Sequence, residues 1–188
     1  MNTFRLVVLA VFVPILRASA QNPTAVPDRV ILTWSGNTST TQSVTWRTDT
    51  TVKAGAGQIA ESAPGPSFDP LGSKEAAPAA KTVPAKTEYL KSSVNEAHYH
   101  SVTFTGLKPG TKYVYRVGLG GKYSEWFQFE TASDTPEPFG FIYVGDAQDE
   151  IKRHWSRLIR RAYSDMPQAK FILHAGDLIS SGTSDSQW

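Results

Sequence analysis

The sequence predicts an all-β sandwich followed by the first strand–helix–strand unit of an α/β domain. Three observations carry this reading. Across much of Pro27–Thr131, apolar and polar residues alternate with a period of two, the spacing of half-buried strands. A single helical period follows at residues 151–163. It lies between two short apolar runs, Phe139–Asp146 and Ala169–Asp177, and each run stops at Gly-Asp. Parallel, adjacent strands would bring Asp146 and Asp177 together at the edge where open α/β sheets bind ligands.

The chain begins with a leader pattern. Arg5 precedes an apolar stretch, Leu6–Leu16, and Ala18-Ser19-Ala20 forms a small-residue cleavage site, so residues 1–20 read as a secretory signal peptide. Eleven apolar-run residues are too few to span a membrane, which takes about 20. Removing the leader takes away Arg5 and Arg17 and no acid, leaving 17 basic residues against 17 acidic. The mature protein is therefore expected to be secreted or periplasmic, without net charge. It has no basic stripe of the kind that binds nucleic acid and no membrane attachment after cleavage. The 188 residues contain no cysteine, which excludes disulfides and thiolate metal sites. Any metal must take oxygen or imidazole donors.

Strands come next. Val30, Leu32 and Trp34 alternate with Ile31 and Thr33, and Val44 and Trp46 with Thr45 and Arg47. His98–Thr105, Lys112–Leu119 and Glu125–Glu130 continue the pattern, with turn chemistry at Ser35-Gly36-Asn37, Lys108-Pro109-Gly110 and Gly120-Gly121. Glu61–Lys86 interrupts it. Five of the chain's twelve prolines fall there, so most of it reads as surface loop, with Lys81–Pro84 touching a sheet edge. The Pro-Gly turn of Leu107–Tyr113 leads into a strand tyrosine, the pattern of a tyrosine corner in sandwich domains. With Tyr113–Val117 and Trp126–Phe129 it resembles a fibronectin type III-like domain, whose aromatics are core. Expected boundaries are 27–131 for the sandwich, 132–138 for a proline-containing linker and 139–188 for the α/β segment.

In that segment Ile151, Trp155, Leu158, Ile159, Ala162 and Tyr163 fall on one helical face, opposite Lys152, Arg153, Arg157, Arg160 and Arg161. The basic side reads as the solvated face of a crossover helix, with Asp149 as N-cap and Pro167 beyond its end.

The chemistry lies at the strand tips. A hard cation takes several oxygen ligands, and Gly145 and Gly176 give each aspartate an unencumbered backbone approach. Two cations sharing a carboxylate, about 3.5–4 Å apart, clamp the attacking and leaving oxygens of a phosphate ester and acidify bound water. One strand ending in Gly-Asp is a weak signal; a pair flanking a single crossover after a sandwich is a stronger one.

Four segments, Ser43–Arg47, Leu107–Tyr113, Gly145–Gln148 and His174–Leu178, make the chain resemble the purple acid phosphatases, secreted metallophosphoesterases in which a fibronectin III-like domain precedes an α/β catalytic domain. The resemblance covers nearly all of the mature chain. It implies two metal ions (iron, zinc, manganese or similar), a phosphate monoester substrate, Asp146 as a terminal ligand of the first metal and Asp177 as the bridging carboxylate.

Two positions depart from the family's pattern. Ser180 stands where coloured members place an iron-binding tyrosine, three residues after the bridging aspartate. Gln148 stands where the wider superfamily often has histidine. The expectation is a colourless protein whose first site takes a divalent ion, with Gln148 or water completing its shell.

None of the four histidines fits the family's Asn-His or later histidine motifs. His98 and His100 share a face of a predicted strand and read as surface residues rather than a metal pair. His154 lies on the polar side of the helix. His174, inside the second strand, reads as buried packing rather than a ligand, and its nearness to Asp177 leaves a supporting role open. No catalytic residue is therefore expected within this chain; these are expected downstream of Trp188, and the chain reads as an incomplete, inactive N-terminal fragment. The alternative is a secreted β-sandwich binding module with a remnant α/β tail. A nucleotide binder is excluded, because no Gly-rich phosphate loop follows either strand.

Overall fold

The computed structural model describes residues 22–62, 80–148 and 150–188. The predicted leader, most of the proline-rich loop and Asp149 lie outside the described residues.

Two antiparallel sheets form the sandwich. The first contains β1 (Asp28–Thr33), β2 (Thr41–Thr48), β5 (Lys86–Lys91) and β6 (Glu96–Thr105), in the order β1-β2-β6-β5. The second contains β3 (Ala56–Glu61), β4 (Lys81–Pro84), β7 (Lys112–Leu119) and β8 (Lys122–Tyr123), in the order β4-β3-β7-β8. A further strand, β9 (Phe127–Glu130), pairs with the N-terminal half of β7, while β8 pairs with its C-terminal end. Inward positions of both sheets supply the core: Val44, Trp46, Val102 and Phe104 from the first, Ile59, Tyr113, Tyr115, Val117 and Phe129 from the second. The period-2 alternation of β2 and β7 thus marks the side turned to the core between the sheets, as side chains on successive residues point to opposite sides.

Lys81–Pro84 is an edge strand against β3, as its proline requires. The tyrosine corner is present. Tyr113 is buried, and its hydroxyl accepts the Lys108 N–H at 2.8 Å, which ties the turn onto the strand. Tyr113, Tyr115 and Phe129 are core aromatics, as expected.

Gly118 shows why a glycine closes β7. Its φ is 138°, and a β-carbon there would stand 2.1 Å from the Lys122 carbonyl oxygen of β8. Gly118→Ala is expected to cost about 2 kcal/mol or more, through strain and a backbone clash that no rotamer relieves. Thermal unfolding should record it as a fall in Tm of roughly 4–8 °C; an unchanged Tm would mean that the hairpin opens freely.

His98 and His100 correct the surface reading. Both point inward from β6 and are buried. His98 Nδ1 bonds the Val52 carbonyl at 2.7 Å. His100 lies stacked on Trp46, with Nε2 against Thr48 Oγ1 and Nδ1 against Thr87 Oγ1, both at 2.8 Å. Period-2 spacing places two histidines on one face, but only the packing of the second sheet, with Gly55 just before β3 close against Trp46 and His100, makes that face the inner one.

After the sandwich, β10 (Ile142–Val144) and β11 (Ile172–His174) form a parallel pair, with Val144 opposite His174. The strands are shorter than the apolar runs, yet backbone bonds prolong the ladder at both ends: Lys170 N–H to Gly140 O at 2.9 Å and Ala175 N–H to Val144 O at 2.7 Å. The crossover is not one uniform α-helix. A π-helical turn, Ile151–Trp155, leads into α1 (Ser156–Asp165), which ends before Pro167. Among the described residues the helix buries none of its side chains fully, and Leu158 and Tyr163 are exposed. The apolar stripe exists, but only part of it meets this two-stranded sheet.

Among the described residues two main contacts join the sandwich to the α/β segment, beside a looser ion pair of Lys170 Nζ with Glu130 Oε1 at 3.6 Å. Phe171 packs edge-on against Trp34, with ring centroids 5.2 Å apart. The second contact is ionic and was not legible in the sequence. On the first sheet Arg47 is buried and forks onto Asp28, Nε to Oδ1 at 2.8 Å and Nη2 to Oδ2 at 2.7 Å. Asp185, in a short 3₁₀ turn near the C-terminus, reaches this pair. It accepts from Arg29 Nη1 at 2.8 Å and from Asn95 Nδ2 at 2.9 Å, and lies 3.7 Å from Arg47 Nη1. Burial alone would raise the Asp185 pKa, but Arg29, Asn95 and Arg47 outweigh it and hold the carboxyl below its ordinary value. Arg47 is held above its own ordinary value, first by its hydrogen bond to Asp28.

Candidate metal centre

Parallel pairing places the two Gly-Asp tips side by side. Asp146 N–H donates to Gly176 O at 3.3 Å and Gln148 N–H to Asp177 O at 3.0 Å, so each loop is hydrogen-bonded to the other. The glycines act differently from one another. Gly145 allows close approach, because a β-carbon there would lie 3.2 Å from that of Ala175. Gly176, at φ 103°, turns the chain into Asp177.

The aspartates are themselves in the left-handed region, Asp146 at φ 58° and Asp177 at φ 54°. This region is uncommon for a residue with a β-carbon, and aspartate is among the few that enter it at modest cost. Matching left-handed conformations at both tips, with the small Ala147 side chain buried between Asp146 and Gln148, fix the direction in which each carboxylate leaves its loop. Both aspartates are solvent-exposed. Gln148 donates Nε2–H to Asp146 Oδ1 at 3.1 Å, and so steadies the first carboxylate from within its own loop.

His174 supports the second loop. Its Nδ1 accepts the Gly176 N–H at 3.2 Å, which puts the ring proton on Nε2 of the neutral imidazole. Nε2 is buried without a hydrogen-bond partner among the described residues, and the Trp155 ring lies 5.1 Å away, edge to face. The imidazole therefore braces the Gly176 turn. His154 is exposed on the π-helical turn.

As a donor set, two carboxylates and a neighbouring amide match a hard cation in kind. They do not close a shell: among the described residues no group of three or more His, Cys, Asp and Glu side chains converges. Ser180 is exposed beyond Asp177, and neither Tyr143 nor Tyr163 occupies the position that a phenolate ligand would need in the sequence pattern.

Comparison with known proteins extends this picture. The family model described as "Purple acid Phosphatase, N-terminal domain" matches residues 27–131. Among solved structures, the purple acid phosphatase PPD1 from yellow lupin (Lupinus luteus) seeds superposes with a TM-score of 0.60 at 17% identity, covering 87% of this chain and 31% of that one. The chain thus spans about a third of the lupin protein's length. Two sandwich proteins align more loosely. A computationally redesigned β-sandwich has a TM-score of 0.35 at 25% identity, covering 58% of this chain and 96% of its own. The chicken CNTN1 FN1–FN3 domains give 0.37 at 23%, covering 59% of this chain and 31% of theirs. No curated protein sequence matches the chain.

Proposed function

The chain belongs to the purple acid phosphatase family through its N-terminal domain, and from that premise we propose that it is part of an exported metal-dependent phosphoesterase acting on phosphate monoesters. The observation that carries the reading is the pair of Gly-Asp tips on adjacent parallel strands, joined by the Asp146 N–H to Gly176 O bond. Purple acid phosphatases are dinuclear metal enzymes. Bound there, two cations supply the concentrated positive charge that a phosphoryl transition state requires, together with an acidified water.

The chain's own residues have separate tasks in this reading. Asp146 serves as the terminal carboxylate of the first cation and Asp177 as the bridging one. Gln148 holds Asp146 in place and offers its amide oxygen as a further donor. His174 keeps the Gly176 turn closed, so that Asp177 cannot swing away. Two carboxylates and an amide are half a dinuclear set, and the 188-residue chain by itself is expected to show no substantial phosphomonoester turnover. Export rests on the leader pattern of residues 1–20.

Titration of the 188-residue chain with Mn²⁺ or Zn²⁺, followed by calorimetry, tests the site. Changes one shell away from a metal already cost about 10–100-fold in affinity, so Asp146→Asn and Asp177→Asn are each expected to lose at least that much. Equal binding by wild type and both variants would reject the site. Loading with ferric iron should give no intense visible band, since no tyrosine replaces Ser180. Failure to bind metal at all would favour a plain sandwich binding module.

A further inference from the structure

Asp185 lies eight residues after Asp177 in the chain and is buried. Among the described residues, the side chains that meet its carboxylate, Arg29, Asn95 and Arg47, all come from the sandwich. Two longer bonds secure its backbone, Arg29 Nη2–H to Asp185 O and Asp185 N–H to Ser93 Oγ, both at 3.4 Å. The first sheet departs from regular strand geometry to make this contact. Successive side chains of a strand point to opposite faces. Asp28 and Arg29 nevertheless enter one charge cluster, Asp28 through Arg47 and Arg29 through Asp185. A register shift of β1 against β2 between Asp28 and Ile31, with left-handed backbone at Arg29 (φ 48°), turns the Arg29 side chain round. Arginine rarely enters this region, and such strain persists where the surroundings enforce it, often at functional sites.

Around the clamp the chain folds back on itself. Ser181 N–H donates to Gln187 Oε1 and Ser184 N–H to Ser181 O, both at 2.9 Å, and Trp188 Nε1–H to Gly182 O at 3.3 Å. Residues 181–188 are thus one linked unit anchored at Asp185, and Leu178, Ile179 and Ser180 alone separate it from Asp177. Three residues leave little slack.

We propose that Asp185 is a positioning residue for the metal centre: clamped to the sandwich by Arg29, Asn95 and Arg47, it fixes the loop that carries Asp177 and so sets the affinity of the aspartate pair for a cation. This rests on the reading in which Asp146 and Asp177 hold that cation. His174 braces the chain just before Asp177 and the clamp holds it just after, so the carboxylate is fixed from both sides. With the clamp open, Asp177 samples directions away from Asp146, and the apparent affinity falls with the fraction of chains that remain competent to bind.

Calorimetric titration of the full 188-residue chain with Mn²⁺ tests the role. In Asp185→Asn, which keeps the shape and removes the charge, affinity should fall on the order of tenfold, the lower end of the cost of losing a supporting group outside a metal's ligands. Arg29→Met should do the same from the sandwich side. The double variant should be no weaker than either single one, because both remove one contact. Asp165→Asn makes the same change of charge on the outer helix and should leave Mn²⁺ binding unchanged. Near-UV circular dichroism identifies the folded variants, and Arg29→Met carries the test should Asp185→Asn not fold. Folded variants that bind Mn²⁺ as tightly as wild type would overturn the positioning role. If wild type itself fails to bind Mn²⁺, the metal reading fails separately, and the metal-free chain decides whether the clamp holds Asp177. The amide resonances of Asp177 and Leu178 should then shift in Asp185→Asn and stay in place in Asp165→Asn; resonances unmoved in both would overturn the proposal.

Discussion

Replacing Arg47 by alanine is expected to lower the stability of the protein by about 3 kcal/mol, because it strands Asp28 and Asp185 beside a buried cavity. Breaking a buried ion pair usually costs about 3–5 kcal/mol, and the lower end applies because the Asp28 side chain keeps 21% of its exposure. For a chain of this size the Tm should fall by roughly 6–12 °C. Asp185→Ala should cost less overall, since Arg29 is partly exposed and Arg47 keeps Asp28. Its signature is local: amide exchange in residues 182–188 should accelerate, with the sandwich core unaffected. A Tm change under about 2 °C for Arg47→Ala would show that the guanidinium only decorates the surface of the first sheet. The two variants together separate the strand-to-strand fork from the clamp on the C-terminal segment.

Acid should weaken the protein through His100. The ring is buried between Trp46 and the hydroxyls of Thr48 and Thr87, with His98 next to it, 6.3 Å away between ring centroids. Burial, and secondarily the His98 charge, pushes its pKa down to about 4 from an ordinary value near 6.5. In the unfolded chain the imidazole takes up a proton near pH 6.5, while the folded protein resists until about pH 4. The stabilisation is therefore complete above pH 6.5, declines as the pH falls between 6.5 and 4, and is gone below that range. At one pKa unit per 1.36 kcal/mol the loss amounts to about 3 kcal/mol. Denaturant titrations at pH 7.5, 6, 5 and 4 read it directly. His100→Gln keeps a neutral hydrogen-bonding side chain in the pocket. It should start less stable at pH 7.5 and lose about 3 kcal/mol less than wild type on the way to pH 4. Parallel decline of the two proteins would assign the acid sensitivity to other groups.

Legibility differed from strand to strand for identifiable reasons. β2 and β7 announce themselves because their large apolar residues, Val44 and Trp46 in the one and Tyr113, Tyr115 and Val117 in the other, recur at every second position on the side turned to the core, although most of the opposite side is covered as well. β3 is quiet, with Ala56, Gly57 and Ala60 in place of large residues. A β-carbon at Gly57 would lie 2.6 Å from Phe104 Cζ, so the strand is small where the opposite sheet is large. β5 carries Lys86, Glu88 and Lys91 because it is an exposed edge, where charge discourages pairing with other chains. Neither signal looks like a strand to a period-2 reading.

The sequence alone determined the two-part architecture, the Gly-Asp tips and the departures at Gln148 and Ser180, since these depend on local periodicity and residue identity. Tertiary structure decided which face His98 and His100 occupy, that both aspartates adopt left-handed backbone, and that Asp185 meets Arg29 and Arg47. Those outcomes depend on pairings between residues as much as 156 positions apart. They follow from packing and from the need to satisfy every buried charge, and neither leaves a trace in nearest-neighbour spacing.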